Sequence, residues 1–166
     1  MRDTIISKNK FILDTLSDLY YVVLTKELFH VPLILGEKEQ DIVSSAQQKP
    51  VKSMEECKQL VILMKKLRVP FKQQEYVNMI QTGQNFDGGF GIIPHSTSFL
   101  ESTYQALRGL NELHARPVDI NKCEFFVRSC LTNIGGFGRQ ITTVPGVEYS
   151  YYAFISLKII DEMKKK

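Results

Sequence analysis

Asn85-Phe86-Asp87-Gly88-Gly89-Phe90-Gly91 carries three glycines among its last four residues, a density that penalises a helix and permits positive φ. It reads as a loop. A second loop of the same kind, Gly135-Gly136-Phe137-Gly138, follows at an offset of 47 residues, measured from Phe90 to Phe137. The offset holds beyond the glycines. Glu101 matches Glu148, Thr103 matches Ser150, Tyr104 matches Tyr151, Ala106 matches Ala153 and Leu110 matches Leu157. Each loop is thus followed by Glu-x-Thr/Ser-Tyr-x-Ala, and agreement at this many positions marks a duplicated helix-loop-helix unit. Shifting back by 47 again sets Leu63 under Leu110 and Val69-Pro70 under Arg116-Pro117, a degenerate third copy without its glycine loop. Such units cannot bury their apolar faces alone and must stack on neighbours.

Working outward, Leu60, Val61, Leu63, Met64 and Leu67 form the apolar side of a helix opened by Ser53 and Glu56, which have capping-box spacing. Val69-Pro70 stops it. Tyr76, Val77 and Ile80 predict the next helix, to about Gln84. Ser98 with Glu101 is a second possible capping box, ahead of a helix to about Leu113. Asp119 can cap a helix carrying Cys123, Phe126, Val127 and Cys130. Pro145 stands at the start of a last helix that runs to about Met163. Upstream, Ile12 to Phe29 is strongly apolar and ends at Val31-Pro32, Gly36 to Gln48 is a weaker helix, and Gln47 to Pro50 reads as a linker. Nothing reads firmly as a sheet, although Ile141 to Val144 could be locally extended. The expected organisation is one helical domain, 1–166, with divergent helices in 1–50 and repeats in 51–163. The fold class is all-α, with about three helix pairs.

Composition sets the outer bounds. The chain has 166 residues, 43% of them hydrophobic, enough for one core. A net charge of +3 is mild for a nucleic-acid binder. Lys164-Lys165-Lys166 reads as a solvated helix end. The three cysteines form neither a disulfide framework nor a CxxC motif, which fits a reducing compartment. No stretch reaches the ~20 apolar residues of a membrane span, and Asp3, Lys8 and Lys10 interrupt any leader-like run. The expectation is a cytoplasmic protein with no nucleic-acid partner and no membrane span.

The glycines let the chain turn sharply between an outer and an inner helix. Phe90 and Phe137 can then plug the gap between layers. Tyr104 and Tyr151 fall in the first turns of inner helices, with rings buried and hydroxyls seeking acceptors. Glu101 and Glu148 favour first-turn N–H groups and the positive helix end. Asp87 holds its loop by backbone hydrogen bonds.

Gln84-x-x-Asp87-Gly88-Gly89-Phe90-Gly91, then Pro94-His95, then Glu101-x-Thr103-Tyr104-x-Ala106-Leu107 resembles the repeat of protein farnesyl- and geranylgeranyltransferase β-subunits. Squalene and other class II terpene cyclases share a looser version. The resemblance is specific from about Asn85 to Leu157, weaker from Ser53, and not visible before Pro50. It implies a toroid-like α/α repeat forming a partial barrel, about half of the family's six pairs. A partner, either a second copy or a second protein subunit, would complete it. It also implies an apolar, aromatic-lined cavity holding an isoprenoid, with Tyr104, Tyr149, Tyr151 and Tyr152 as candidate ligand contacts.

The family's zinc site departs here. Its Asp-x-Cys element matches Glu148-Tyr149-Ser150, so a hydroxyl stands where the thiolate belongs. No histidine follows; the three are His30, His95 and His114. Glu55 and Cys57 have similar spacing, but the 47-residue shift puts Cys57 in the tyrosine position. Asp119 and Cys123 read as a cap and a core residue. The cyclases' acidic Asp-x-Asp-Asp cluster is missing too. No metal and no cofactor is expected. Asp87, His95, Glu101 and Glu148 are the catalytic candidates. The favoured expectation is a non-catalytic or partner-dependent interaction or assembly module. The alternative is an isoprenoid-binding enzyme, for prenyl transfer or terpene cyclisation, completed by dimerisation or a second subunit.

Overall fold

A computed structural model describes residues 15–32 and 36–165. The segment that would carry a leader, and the start of the first expected helix at Ile12, lie outside these residues. Among the described residues seven helices follow in order: α1 (Leu16–Leu28), α2 (Glu37–Gln47), α3 (Met54–Lys66), α4 (Gln73–Thr82), α5 (Leu100–Glu112), α6 (Ile120–Ser129) and α7 (Val147–Lys165). α1, α3, α5 and α7 lie side by side, each packed on the next. α2, α4 and α6 back this inner row, each covering one junction. The architecture is the all-α, toroid-like helical repeat, with four inner and three outer helices among the described residues.

The local causes are ordinary. Ser53 caps α3 by accepting from the Glu56 amide at 3.1 Å, while the Glu56 carboxylate takes the Lys52 amide. Asp119 caps α6 through the Lys122 amide. Thr15 and Asp18 form a reciprocal capping box on α1. The expected Ser98–Glu101 box does not form. Ser98 lies in a two-residue strand (β2, Ser98–Phe99) paired antiparallel with β1 (Phe90–Gly91), and its hydroxyl donates to Asp87 at 2.8 Å. α5 therefore starts at Leu100. The expected extension over Ile141 to Val144 is also corrected: that stretch turns, and Thr142 sits at φ 69.

The two glycine copies share one set of backbone and hydroxyl hydrogen bonds. Asn85 N donates to Gly89 O at 2.9 Å, and Thr132 N donates to Gly136 O at 3.0 Å. The Phe90 amide donates to Thr103 Oγ1, and the Phe137 amide to Ser150 Oγ, both at 3.0 Å. Each hydroxyl also donates back one turn, to Phe99 O or Gly146 O, at 2.9 Å. Phe90 is fully buried between the layers; Phe137 is only half-buried.

The degenerate copy needs a different register. α1, α3 and α5 end alike, on a left-handed residue: His30, Arg68 and His114, at φ 54 to 55. In each end the next amide reaches back to close the last turn, Val31 to Lys26, Val69 to Met64 and Ala115 to Leu110. Arg68 and His114 are 46 residues apart, whereas α4 and α6 keep the 47-residue offset. The α5–α6 connection carries one residue more than the α3–α4 connection. Cys57 is thus the counterpart of Thr103 and Ser150, in the hydroxyl position and not in the tyrosine position. Glu55 aligns with Glu101 and Glu148. α1 joins the same frame: Leu16, Met54, Leu100 and Val147 each open an inner helix.

Candidate functional site

The inner row encloses a basin of about 600 Å³ on the side away from the outer helices. All four inner helices supply its wall. In the shared register the contributions form two bands. One is a row of carboxylates, Glu55, Glu101 and Glu148, on the first turns of α3, α5 and α7. The other lies a turn deeper and is mostly aromatic, with Tyr20, Tyr21, Tyr104 and Tyr152 around Lys58. The repetition of one helical register produces this layering, because equivalent positions on stacked helices face the same way.

Each carboxylate has a different partner. Glu101 is ion-paired with Arg139 of the second hairpin, with Nε to Oε1 at 2.6 Å, and the Arg139 guanidinium lies 3.9 Å over the Phe99 ring. The other oxygen of Glu101 is buried with no hydrogen-bond partner among the described residues, as is the amide oxygen of Gln105 one turn on. Glu148 accepts the Tyr152 hydroxyl at 2.7 Å. Gln59 reaches Glu55 at 3.4 Å. Tyr104 stacks on Tyr152 with centroids 4.9 Å apart, and meets Tyr151 edge-on at 6.1 Å. Burial, then the Tyr151 hydroxyl, pushes Tyr104 up to about 12, so it remains a neutral phenol. Lys58 is only 4% exposed, its ammonium 4.4 Å from the Tyr20 ring centroid. Burial lowers its pKa to about 8 against the pull of Glu55.

The structure brings five of the eight sequence candidates into the basin: Glu101, Glu148, Tyr104, Tyr149 and Tyr152. Tyr151 was expected to be buried; it is 54% exposed on the flank of α7 and meets the basin through the rings of Tyr104 and Tyr152. Asp87 and His95 stand apart. Asp87 accepts the Gly89 amide and the Ser98 hydroxyl, and so holds the first hairpin closed. His95 is an exposed left-handed residue in the hairpin turn. Sequence reading missed Tyr20, Tyr21, Lys58 and Arg139. The two tyrosines lie in the segment where no repeat was visible, Lys58 was hidden by the one-residue register error, and Arg139 sits in a loop.

Ser150 is saturated by the Phe137 amide and the Gly146 carbonyl. Cys57, its counterpart on α3, is 1% exposed, and burial pushes its thiol up to about 12. Neither presents an ionisable sulfur to the basin. Among the described residues no group of three or more His, Cys, Asp and Glu side chains could hold a metal ion.

The far edge of the row differs from its middle. Leu100 and Leu107 on α5, against which α7 packs, are fully buried, whereas their counterparts Val147 and Phe154 on α7 are 91% and 67% exposed. The hairpins diverge in the same sense. Gln84 clamps the following outer helix, accepting from the Asp119 amide and donating to its carbonyl, both at 2.9 Å. Its counterpart is Leu131, and the counterpart of Asp87 is Ile134, both exposed. The first copy's polar hairpin groups are therefore replaced by uncovered apolar ones in the second.

No protein-family model matches the sequence, and no curated protein matches it. Among solved structures the chain is similar to Candida albicans protein geranylgeranyltransferase-I complexed with GGPP, at 14% identity and a TM-score of 0.53. The match covers 95% of this chain and 70% of that one. At that identity the likeness is one of fold: the all-α prenyltransferase-like arrangement. No described helix is long and apolar enough to cross a membrane.

Proposed function

We propose that this chain is a partner-dependent assembly module of prenyltransferase-like fold, whose open edge on α7 receives a further helical unit. One observation carries the reading: Val147 and Phe154 are exposed, whereas their counterparts Leu100 and Leu107 are buried on α5, the helix that α7 packs against. Exposed apolar side chains grouped on one face signal an interaction surface. In this reading residues 1–166 form one helical domain, with the repeat in 51–163. Free buried cysteines favour a reducing, cytoplasmic setting.

The test places a photoreactive side chain at position 154 of the full chain. A control carries the same group at Asn78, which is exposed on outer helix α4. Both are irradiated as purified protein and in extract of the source cells. Crosslinked product at 154 well above that at 78 is the expected result. Equal or absent product at 154 overturns the reading.

A second reading rests on the basin. Its tyrosines and its volume suit an isoprenoid, and the solved neighbour of like fold is complexed with GGPP. The polar wall argues for a ligand with a charged head, and Lys58, Arg139 and the phenols would meet it. Titration with an isoprenyl diphosphate checks this. Saturable binding that Tyr104→Ala abolishes supports it, and no binding by the assembled protein removes it.

A further inference from the structure

We infer that the unit received by α7 is α1 of a second copy of this chain, joined head to tail. This rests on the assembly reading above and names its partner. The pairing follows from register. Every inner helix of the row offers the same two sides. Its forward side holds the first and eighth positions, and is covered by the next helix. These are Met54 and Val61 on α3, and Leu100 and Leu107 on α5, all buried. Its backward side holds the seventh and tenth positions: Leu60 and Leu63 on α3, Ala106 and Gly109 on α5, Ala153 and Ser156 on α7, again all buried. Two such sides remain uncovered among the described residues. One is the forward side of α7, with Val147 and Phe154. The other is the backward side of α1, where Val22 is half-buried and Thr25 exposed. Tyr21 and Leu28 extend that side with exposed apolar surface.

The two open sides fit the pattern already used within the chain. Gly109, at the tenth position of α5, lies against Lys58, at the fifth position of α3. The same step sets Thr25 of a second copy against Tyr151 on α7. Lys65, at the twelfth position of α3, donates to the carbonyl of Glu112 at the end of α5. Lys158 holds that position on α7, exposed, and would meet the C-terminal carbonyls of the incoming α1, where a cation is favoured. The proposed contact thus continues the stacking of α1, α3, α5 and α7. It is heterologous, so it closes into a ring or grows with concentration.

The closing experiment mixes two full-length variants, Thr25→Cys and Tyr151→Cys, with a short bis-maleimide. The native thiols Cys57, Cys123 and Cys130 are buried and do not compete. Pairing predicts a mixed crosslinked dimer at least about ten-fold above either variant alone, because docking raises the effective concentration of the two thiols. Phe154→Asp, folded by circular dichroism, should return the wild-type assembly to 19.1 kDa in sedimentation. Crosslinking of Tyr151→Cys to itself overturns the head-to-tail pairing while leaving assembly through α7 intact. A wild-type chain that sediments only as a monomer also overturns it. Whether the assembly reading survives that result is then decided by the crosslinks from position 154 in extract.

Discussion

The unit built on α4 and α5 and the unit built on α6 and α7 share one motif at a 47-residue offset and differ in their surroundings. The backbone and hydroxyl bonds that close each loop agree, from the Gly89 and Gly136 carbonyls to the Thr103 and Ser150 hydroxyls, while the Gln84 and Asp87 side-chain bonds exist only in the first unit. Their exposures do not agree: Leu107 is fully buried and Phe154 is not. What lies within one unit depends on its own residues. What is buried depends on the neighbour, as in any one-dimensional stack.

The largest expected contrast is between those two positions. Leu107→Ala should cost about 2–5 kcal/mol in urea unfolding, the range for a large-to-small change in a packed core. Phe154→Ala, measured on dilute monomer, should stay within about 0.5 kcal/mol, as exposed substitutions do. Equal losses would break the distinction between covered and open units.

The glycines sharpen it next. Gly88 and Gly135 both have φ near 90, so alanine at either carries a left-handed penalty of about 1–2 kcal/mol. A Cβ on Gly88 would also clash with the Lys122 carbonyl oxygen of the next outer helix, whereas at Gly135 no described residue lies within 4 Å. Gly88→Ala should therefore lower the urea midpoint clearly further than Gly135→Ala. A smaller difference is expected at the hydroxyl clamps. Thr103→Val leaves the buried Phe90 amide unpaired, at about 1–3 kcal/mol. Ser150→Ala should cost less, because Phe137 is half-buried and water can reach its amide. Equal midpoints for the two clamp variants would show that the edge unit is as dry as the interior one.

The remaining effect is one of pH, at the centre of the row. Burial lowers Lys58 to about 8 in the folded protein, from an ordinary 10.5. Between those values the unfolded chain binds more protons, so this group adds stability as pH rises. Its cost is full below about pH 8 and gone above about 10.5. The buried thiols, raised by burial, act the opposite way in alkaline solution. Lys58→Met isolates the lysine. Its stability advantage over wild type should shrink from pH 8 to 10.5, and a constant gap would place the ammonium in water.

The repeat was legible because both good copies carry glycines, a hydroxyl and a tyrosine at one spacing. Those residues answer to local geometry, such as the left-handed turns at Gly88 and Gly135. The first inner helix was legible as a helix ending before Val31-Pro32 but not as a copy of the repeat, since α1 keeps the register only in Tyr20, in its length and in its left-handed end at His30. The one-residue difference between the α3–α4 and α5–α6 connections also misplaced Cys57. Part of the basin was hidden for the same two reasons: Tyr20 and Tyr21 on α1, and Lys58 on α3.

By itself, then, the sequence determined the helical unit, its hairpin and the carboxylate-tyrosine pattern, because each follows from contacts a few residues apart along the chain. Only the tertiary structure decided which tyrosines face one another, that Ser150 is spent on a backbone amide, and that α7 keeps an open apolar edge. Those depend on how one unit lies against the next, and stacking brings together side chains that no short spacing relates.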